Sequence, residues 1–118
     1  TQGTGAWTIC GNGTIANGSQ VDHAVLEDTL IVGDGFGSTR HSTDGTSFTD
    51  TTAAPVSNSF AEYQGRIYAG GTASNLFYST VGTASDWTTD SASILVPGEG
   101  KNDSLFKRTG LLLGCNGL

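Results

Sequence analysis

Two stretches of this chain repeat each other at a constant spacing of 37 residues. Laying residues 60–83 on 23–46 brings Ala61 onto Ala24, Ile67 onto Leu30, Gly70 onto Gly33, Ser79-Thr80 onto Ser42-Thr43, and Gly82-Thr83 onto Gly45-Thr46. Each copy then closes on an aromatic-Thr pair, Phe48-Thr49 in the first and Trp87-Thr88 in the second, so only the length of the last turn differs. Self-similarity at this period marks a stacked or radial array whose unit cannot bury its apolar face alone. Partial copies flank the complete ones. Gly3-Thr4-Gly5-Ala6-Trp7-Thr8 reads as the end of a unit, and Thr109-Gly110-Leu111-Leu112-Leu113-Gly114 matches Asp28-Thr29-Leu30-Ile31-Val32-Gly33. The expected organisation is one domain over 1–118, with a partial unit at 1–20, units at 21–57 and 58–96, and a partial unit at 97–118.

The unit reads as short strands. Seventeen Thr, 12 Ser and 18 Gly against two Pro and no Met disfavour long helices and favour strands joined by tight turns. In the second unit the pattern predicts strands over 59–63, 66–69, 76–79 and 87–89, with Gly65, Gly70-Gly71, Ser74-Asn75 and Gly82 between them. Leu30 and Val32 alternate with Ile31, and Ile67 and Ala69 alternate with Tyr68. Residues 22–28 contain good helix formers, but their repeat partner 59–65 does not read as helix, and one repeat should have one structure. Both are therefore expected to be strand. The stretches 51–55, 91–93 and 97–102 are expected to be turns or exposed loops.

Charge and composition exclude some partners. A net charge of −6 with only five scattered Lys and Arg cannot neutralise a run of phosphates, so nucleic acid is not expected as a partner. No apolar stretch approaches the roughly 20 residues that cross a bilayer as a helix, and no membrane insertion is expected. Without a basic, apolar leader, the chain is expected to be soluble and processed or excised from a longer parent. Cys10 and Cys115 are compatible with one disulfide in an oxidising compartment, which in the loop-entropy model contributes about 4–5 kcal/mol, or with two buried thiols. Sequons at Asn12, Asn17 and Asn102, all in expected loops, are candidate glycosylation sites if the chain is extracellular.

One segment carries a specific motif. Ser42-Thr43-Asp44-Gly45-Thr46-Ser47-Phe48 resembles the Asp-box of sialidase-like β-propellers, a hairpin turn in which the carboxylate accepts backbone N–H bonds, Gly supplies a conformation other residues resist, and the aromatic folds beneath. The second copy keeps Ser79, Gly82 and Trp87 but has Val81 in place of the acid. The run from Tyr63 to Gly71, followed by Leu76-Phe77-Tyr78-Ser79, is also similar to blades of bacterial exoprotein and phage tail propellers. The resemblance spans nearly the whole chain. It implies an all-β, propeller-like repeat of four-stranded antiparallel blades that is incomplete in one chain, since a closed wheel takes about 4–8 blades. In that family the Asp-box is structural and not catalytic.

Other chemistry is weakly represented. A sialidase-type hydrolase needs an arginine cluster and a Tyr-Glu pair, but Arg40, Arg66 and Arg108 do not share a repeat position, and the neighbours Glu62 and Tyr63 point to opposite faces of a strand. Asp22, Glu27, Asp28, Asp34, Asp44 and Glu62 read as solvated turn acids, and His23 and His41 as surface or edge histidines. Gly33-Asp34-Gly35-Phe36-Gly37 lacks the helix and the Lys-Ser/Thr pair of a phosphate loop. No metal and no cofactor are expected. Tyr63, Tyr68, Phe77 and Tyr78 either fill the space between blades or stack on sugar rings, with Tyr63, Tyr68 and Tyr78 the candidate sugar-stacking set. The expected role is a noncatalytic structural and assembly module, extracellular or on a virion surface, completed by copies of itself or by the remainder of a larger propeller. The alternatives are a lectin-like carbohydrate-binding module, with glycans as partners, and a fragment of a glycoside hydrolase.

Overall fold

A computed structural model describes residues 15, 18–70 and 75–95, with the backbone of 102–108 and 111–116. Among the described residues there are strands and no helix. The first sheet is β1 (Asp22–Leu26), β2 (Thr29–Gly33), β3 (Arg40–Ser42) and β4 (Thr49–Asp50). The second is β5 (Ser59–Tyr63), β6 (Arg66–Gly70), β7 (Asn75–Tyr78) and β8 (Ala92–Leu95). Each is antiparallel with its strands in chain order, and a hairpin of β9 (Asn102–Arg108) and β10 (Leu111–Asn116) follows.

The repeat governs backbone detail. Asp22 pairs with Gly33 and Ser59 with Gly70, so the first hairpin of each sheet has the same register. The turns match too. Glu27 and Gln64 take φ values of 53° and 49°, while Gly45 and Gly82 take 72° and 73°, each pair being 37 residues apart. Two non-glycine residues in the sparsely populated left-handed region at equivalent positions mark a turn set by hairpin geometry and not by local preference.

The two sheets bury opposite faces. In the first sheet Ala24, Leu26 and Ile31 are buried, and we call this side the front. Of their repeat counterparts in the second sheet, Ala61 is buried but outside the common core, and Tyr63 and Tyr68 are half-buried. The second sheet instead buries Phe60, Ile67 and Ala69 in the common core, counterparts of His23, Leu30 and Val32 on the back of the first. The front of one sheet therefore packs on the back of the next. Ile31 and Ile67, both 0% exposed, meet in this core with Trp87, Ala84 and the partly buried Phe77. Burial of an aliphatic side chain of this size contributes roughly 1.5–3 kcal/mol. The Asp22 carboxylate tightens the seam by accepting the Phe60 N–H of the next sheet at 2.7 Å. β1 lies against β5 and β6, and β9 lies against the same two strands.

Three expectations need correction. The fourth strand of the second unit is Ala92–Leu95, not 87–89, and so Ala92 and Ser93 of the expected 91–93 loop are strand. Asp86 explains this: its Oδ1 accepts the amides of Thr88 and Thr89, which a strand would have needed, while the Trp87 indole turns into the core and donates to Ala84 O at 2.9 Å. The third strand begins and ends one residue earlier than expected, which leaves Ser79 outside the ladder and fully buried. Asn102 is the first residue of β9 and not part of a loop.

Candidate functional site

Alternation along β5, β6 and β7 places Tyr63, Arg66, Tyr68 and Tyr78 on one side of the second sheet, its front. Tyr63 pairs with Arg66, and Tyr68 pairs with Tyr78. The Tyr63 and Tyr68 rings are 6.2 Å apart and the Tyr68 and Tyr78 rings 5.8 Å apart, both tilted, within the range of favourable aromatic pairs. The Arg66 guanidinium sits 4.9 Å from the Tyr78 ring centre. All four residues are half-buried. Burial, partly offset by the Arg66 charge, raises the Tyr68 phenol above its ordinary value of 10.0, so it is a neutral hydroxyl at physiological pH.

Arg66 is fully employed in place. Its Nη1 donates to Ser79 O at 2.7 Å and to Asp90 O at 2.5 Å, and its Nη2 donates to Asp90 Oδ2 at 2.6 Å. The ion pair neutralises the guanidinium locally, so the face offers fixed aromatic rings and hydroxyls and little net positive charge. Phe77, grouped with these aromatics in sequence, points to the opposite side and packs on the core. A cleft of about 230 Å³ lies there, between Ala53 and Pro55 of the loop leaving the first sheet and Phe77, Trp87, Ser91 and Ser93 of the second. No charged side chain lines it.

The 42–48 turn is held by the side chains of Ser42 and Asp44. Asp44 Oδ1 accepts the amides of Thr46 and Ser47 at 2.8 and 2.7 Å, and Ser42 Oγ accepts that of Gly45 at 2.9 Å while donating to Asp44 Oδ1 at 3.1 Å. The backbone bonds from Ser47 and Thr46 hold the Asp44 carboxyl well below the usual carboxylate range. Phe48 is only half-buried and lies outside the core, whereas its counterpart Trp87 is a core residue. In the second copy the missing acid at Val81 is replaced from further along the chain. Asp86 serves Thr88 and Thr89, whose hydroxyls and amides hold its carboxyl low, the Thr89 side chain foremost. Gly82 N donates to Gly65 O at 2.7 Å and ties this turn to the β5–β6 turn.

Asp86, Asp90 and Asp22 carry structural roles that the motif reading missed. The readable signal for Asp86 is an acid two residues before a Thr, the spacing of a local Asx turn. Asp34 is similar: its buried carboxylate accepts the amides of Phe36 and Gly37, both at 2.9 Å, which occupies the N–H groups a phosphate would have needed. Arg40 pairs with Asp50 at 3.1 Å, and Arg66 pairs with Asp90. Glu62 Oε1 accepts Gly65 N at 3.2 Å, on the opposite face from Tyr63. His41 Nδ1 is 3.0 Å from Thr51 Oγ1, and His23 is exposed. Among the described residues no three His, Cys, Asp or Glu side chains converge. Cys10, Asn12 and Asn17, and the side chains of Asn102, Arg108 and Cys115, lie outside the described residues. The chain matches no family model, no curated protein and no solved structure.

Proposed function

We propose that this chain is a noncatalytic structural and assembly module of the β-propeller type, extracellular or on a virion surface, in which blade-like sheets are added in series and finished by copies of itself or by the rest of a larger propeller. One observation carries the reading: the front of the first sheet packs on the back of the second, and β5 in turn has β9 as a neighbour. A serial array of this kind ends in faces and strand edges without a neighbouring unit, which favour further association. The Asp44 turn adds support, because its carboxylate is consumed by backbone amides and takes a structural role. Nuclear Overhauser contacts from Ile31 to Phe60 and Ile67, and between the amides of β5 and β9, test the stack. Their absence in the folded protein would refute it. A panel of fluorogenic glycosides, sialosides included, tests the noncatalytic part. Turnover lost on Arg66→Ala would replace this reading with a hydrolase.

A second reading, carbohydrate recognition, is favoured by the convergence of Tyr63, Tyr68 and Tyr78 on one face. Aromatic rings held by their neighbours stack on sugar faces at small entropic cost. Binding on a glycan array that disappears on Tyr68→Ala supports it, and a blank array rejects it.

A further inference from the structure

We propose that the cleft between the two sheets is a binding site for a small neutral ligand built on one aromatic ring with a hydrogen-bonding substituent, a phenol being the simplest example. The site is separate from the tyrosine face and belongs to neither reading above.

The size and the lining of the cleft decide the class of ligand. Its volume is about 230 Å³. An apolar cavity of roughly 150 Å³ takes up a benzene molecule, and pockets for drug-sized ligands begin near about 300 Å³, so the space suits one substituted ring. Ala53 and Pro55 come from the loop that leaves the first sheet, and Phe77 and Trp87 from the second. The loop side is anchored: buried Thr39 donates its hydroxyl to Pro55 O at 2.6 Å and accepts Thr51 N on its carbonyl at 2.8 Å. The Trp87 indole N–H is already donated to Ala84 O at 2.9 Å, which leaves its ring to act through apolar surface alone. Phe77 pairs with Ser93 across β7 and β8, so the two side chains stand on one side of the sheet, and Ser91 lies two residues before Ser93. Ser93 Oγ accepts Asn75 Nδ2 at 3.3 Å, and its own proton remains to be donated.

This lining discriminates. No charged side chain borders the cleft, so a charged ligand would give up hydration with no counter-charge in return. A sugar ring carries hydroxyls around its whole rim and would leave most of them without partners against Pro55, Phe77 and Trp87. A phenol directs its one hydroxyl to the serines and its ring to the aromatic and proline side chains. Because the cleft is shared by two units, an occupant also ties the sheets together and raises the unfolding midpoint by linkage.

The test is a titration of the chain with phenol, followed by proton–nitrogen NMR at the Trp87 indole N–H and the amides of Phe77, Ser91 and Ser93. Saturable shifts are expected, with a Kd of about 1 mM for a ligand of this size. Benzoate and methyl glucoside should bind at least about tenfold more weakly. Ser93→Trp, which fills the cleft from an exposed strand position, should abolish the shifts. The S91A/S93A double variant should weaken phenol about fivefold and leave toluene unchanged. If Ser93→Trp fails to fold, the double variant decides. Phenol without saturable shifts, benzoate or the glucoside bound as tightly as phenol, or variants that bind phenol like the wild type would each overturn the proposal.

Discussion

Gly33 ends β2 where the chain runs close against Ser57 and Phe60, and replacing it with alanine tests the seam directly. A Cβ at this position would lie 2.2 Å from Ser57 O and 3.0 Å from Cζ of Phe60. The first contact is with backbone, which cannot rotate away, and Ser57 O is already held as the acceptor for Gly35 N at 3.0 Å. Overpacking costs about 1–3 kcal/mol, and loosening that hydrogen bond costs about 0.5–1.5 more, giving roughly 1.5–4.5 kcal/mol in all. At about 4 °C per kcal/mol for a chain of this length, the melting midpoint should fall by roughly 6–18 °C. Gly45→Ala is the control. That position has φ 72° and open space around it, so only the left-handed conformation is penalised, at about 1–2 kcal/mol. Urea unfolding monitored by tryptophan fluorescence reads both variants, and an unchanged slope m shows that the same surface is exposed. A Gly33→Ala protein no less stable than Gly45→Ala would refute the close approach of the two sheets.

Three further outcomes follow from the geometry. Asp44 and Asp86 have folded-state pKa values depressed below the ordinary 3.8, so the stability they supply is present above that pH and is lost as pH falls below it. Acid titration of the unfolding midpoint should show this decline, and the D44N/D86N double variant should flatten it; an identical decline in both proteins would contradict the assignment. Trp87→Ala should cost about 3–5 kcal/mol because the indole is core, and Phe48→Ala distinctly less because its ring is half-buried, so equal losses by calorimetry would show that the aligned aromatics do the same job. Arg66→Ala strips partners from Ser79 O and from both Asp90 oxygens and should cost about 1.5–3 kcal/mol by denaturant unfolding, with Arg66→Lys recovering only part. Full recovery by lysine would mean that the fork and its stacking on Tyr78 are dispensable.

Much of the architecture is legible in sequence because the repeat constrains it twice. Residues 22–26 contain helix formers, yet their partner 59–63 forbids that assignment, and both are strands in the same register. The alternation of Ile31 and Ile67 with their neighbours is also readable. The side each one buries is not, because it depends on which neighbour covers which sheet, a tertiary fact that places Ile31 and Ile67 on opposite faces of matching strands. The fourth strand lies later than its repeat position for a local reason: Trp87 aligns with Phe48 by type, but Asp86 takes up the amides after it and delays the strand to Ala92. The tyrosine set converges as its repeat spacing allows. Its link to Asp90 through Arg66 is not visible in sequence, because 24 residues and a turn of unpredictable length separate the two.

Front-to-back packing gives the molecule a direction. Two sheets joined by a common face would seal the contact between them and stop growth, whereas here the first sheet gives its front and the second its back to the shared core. Duplication of a 37-residue stretch then needs no invention of a new contact, and the number of sheets becomes something evolution or an engineer can change by copying alone.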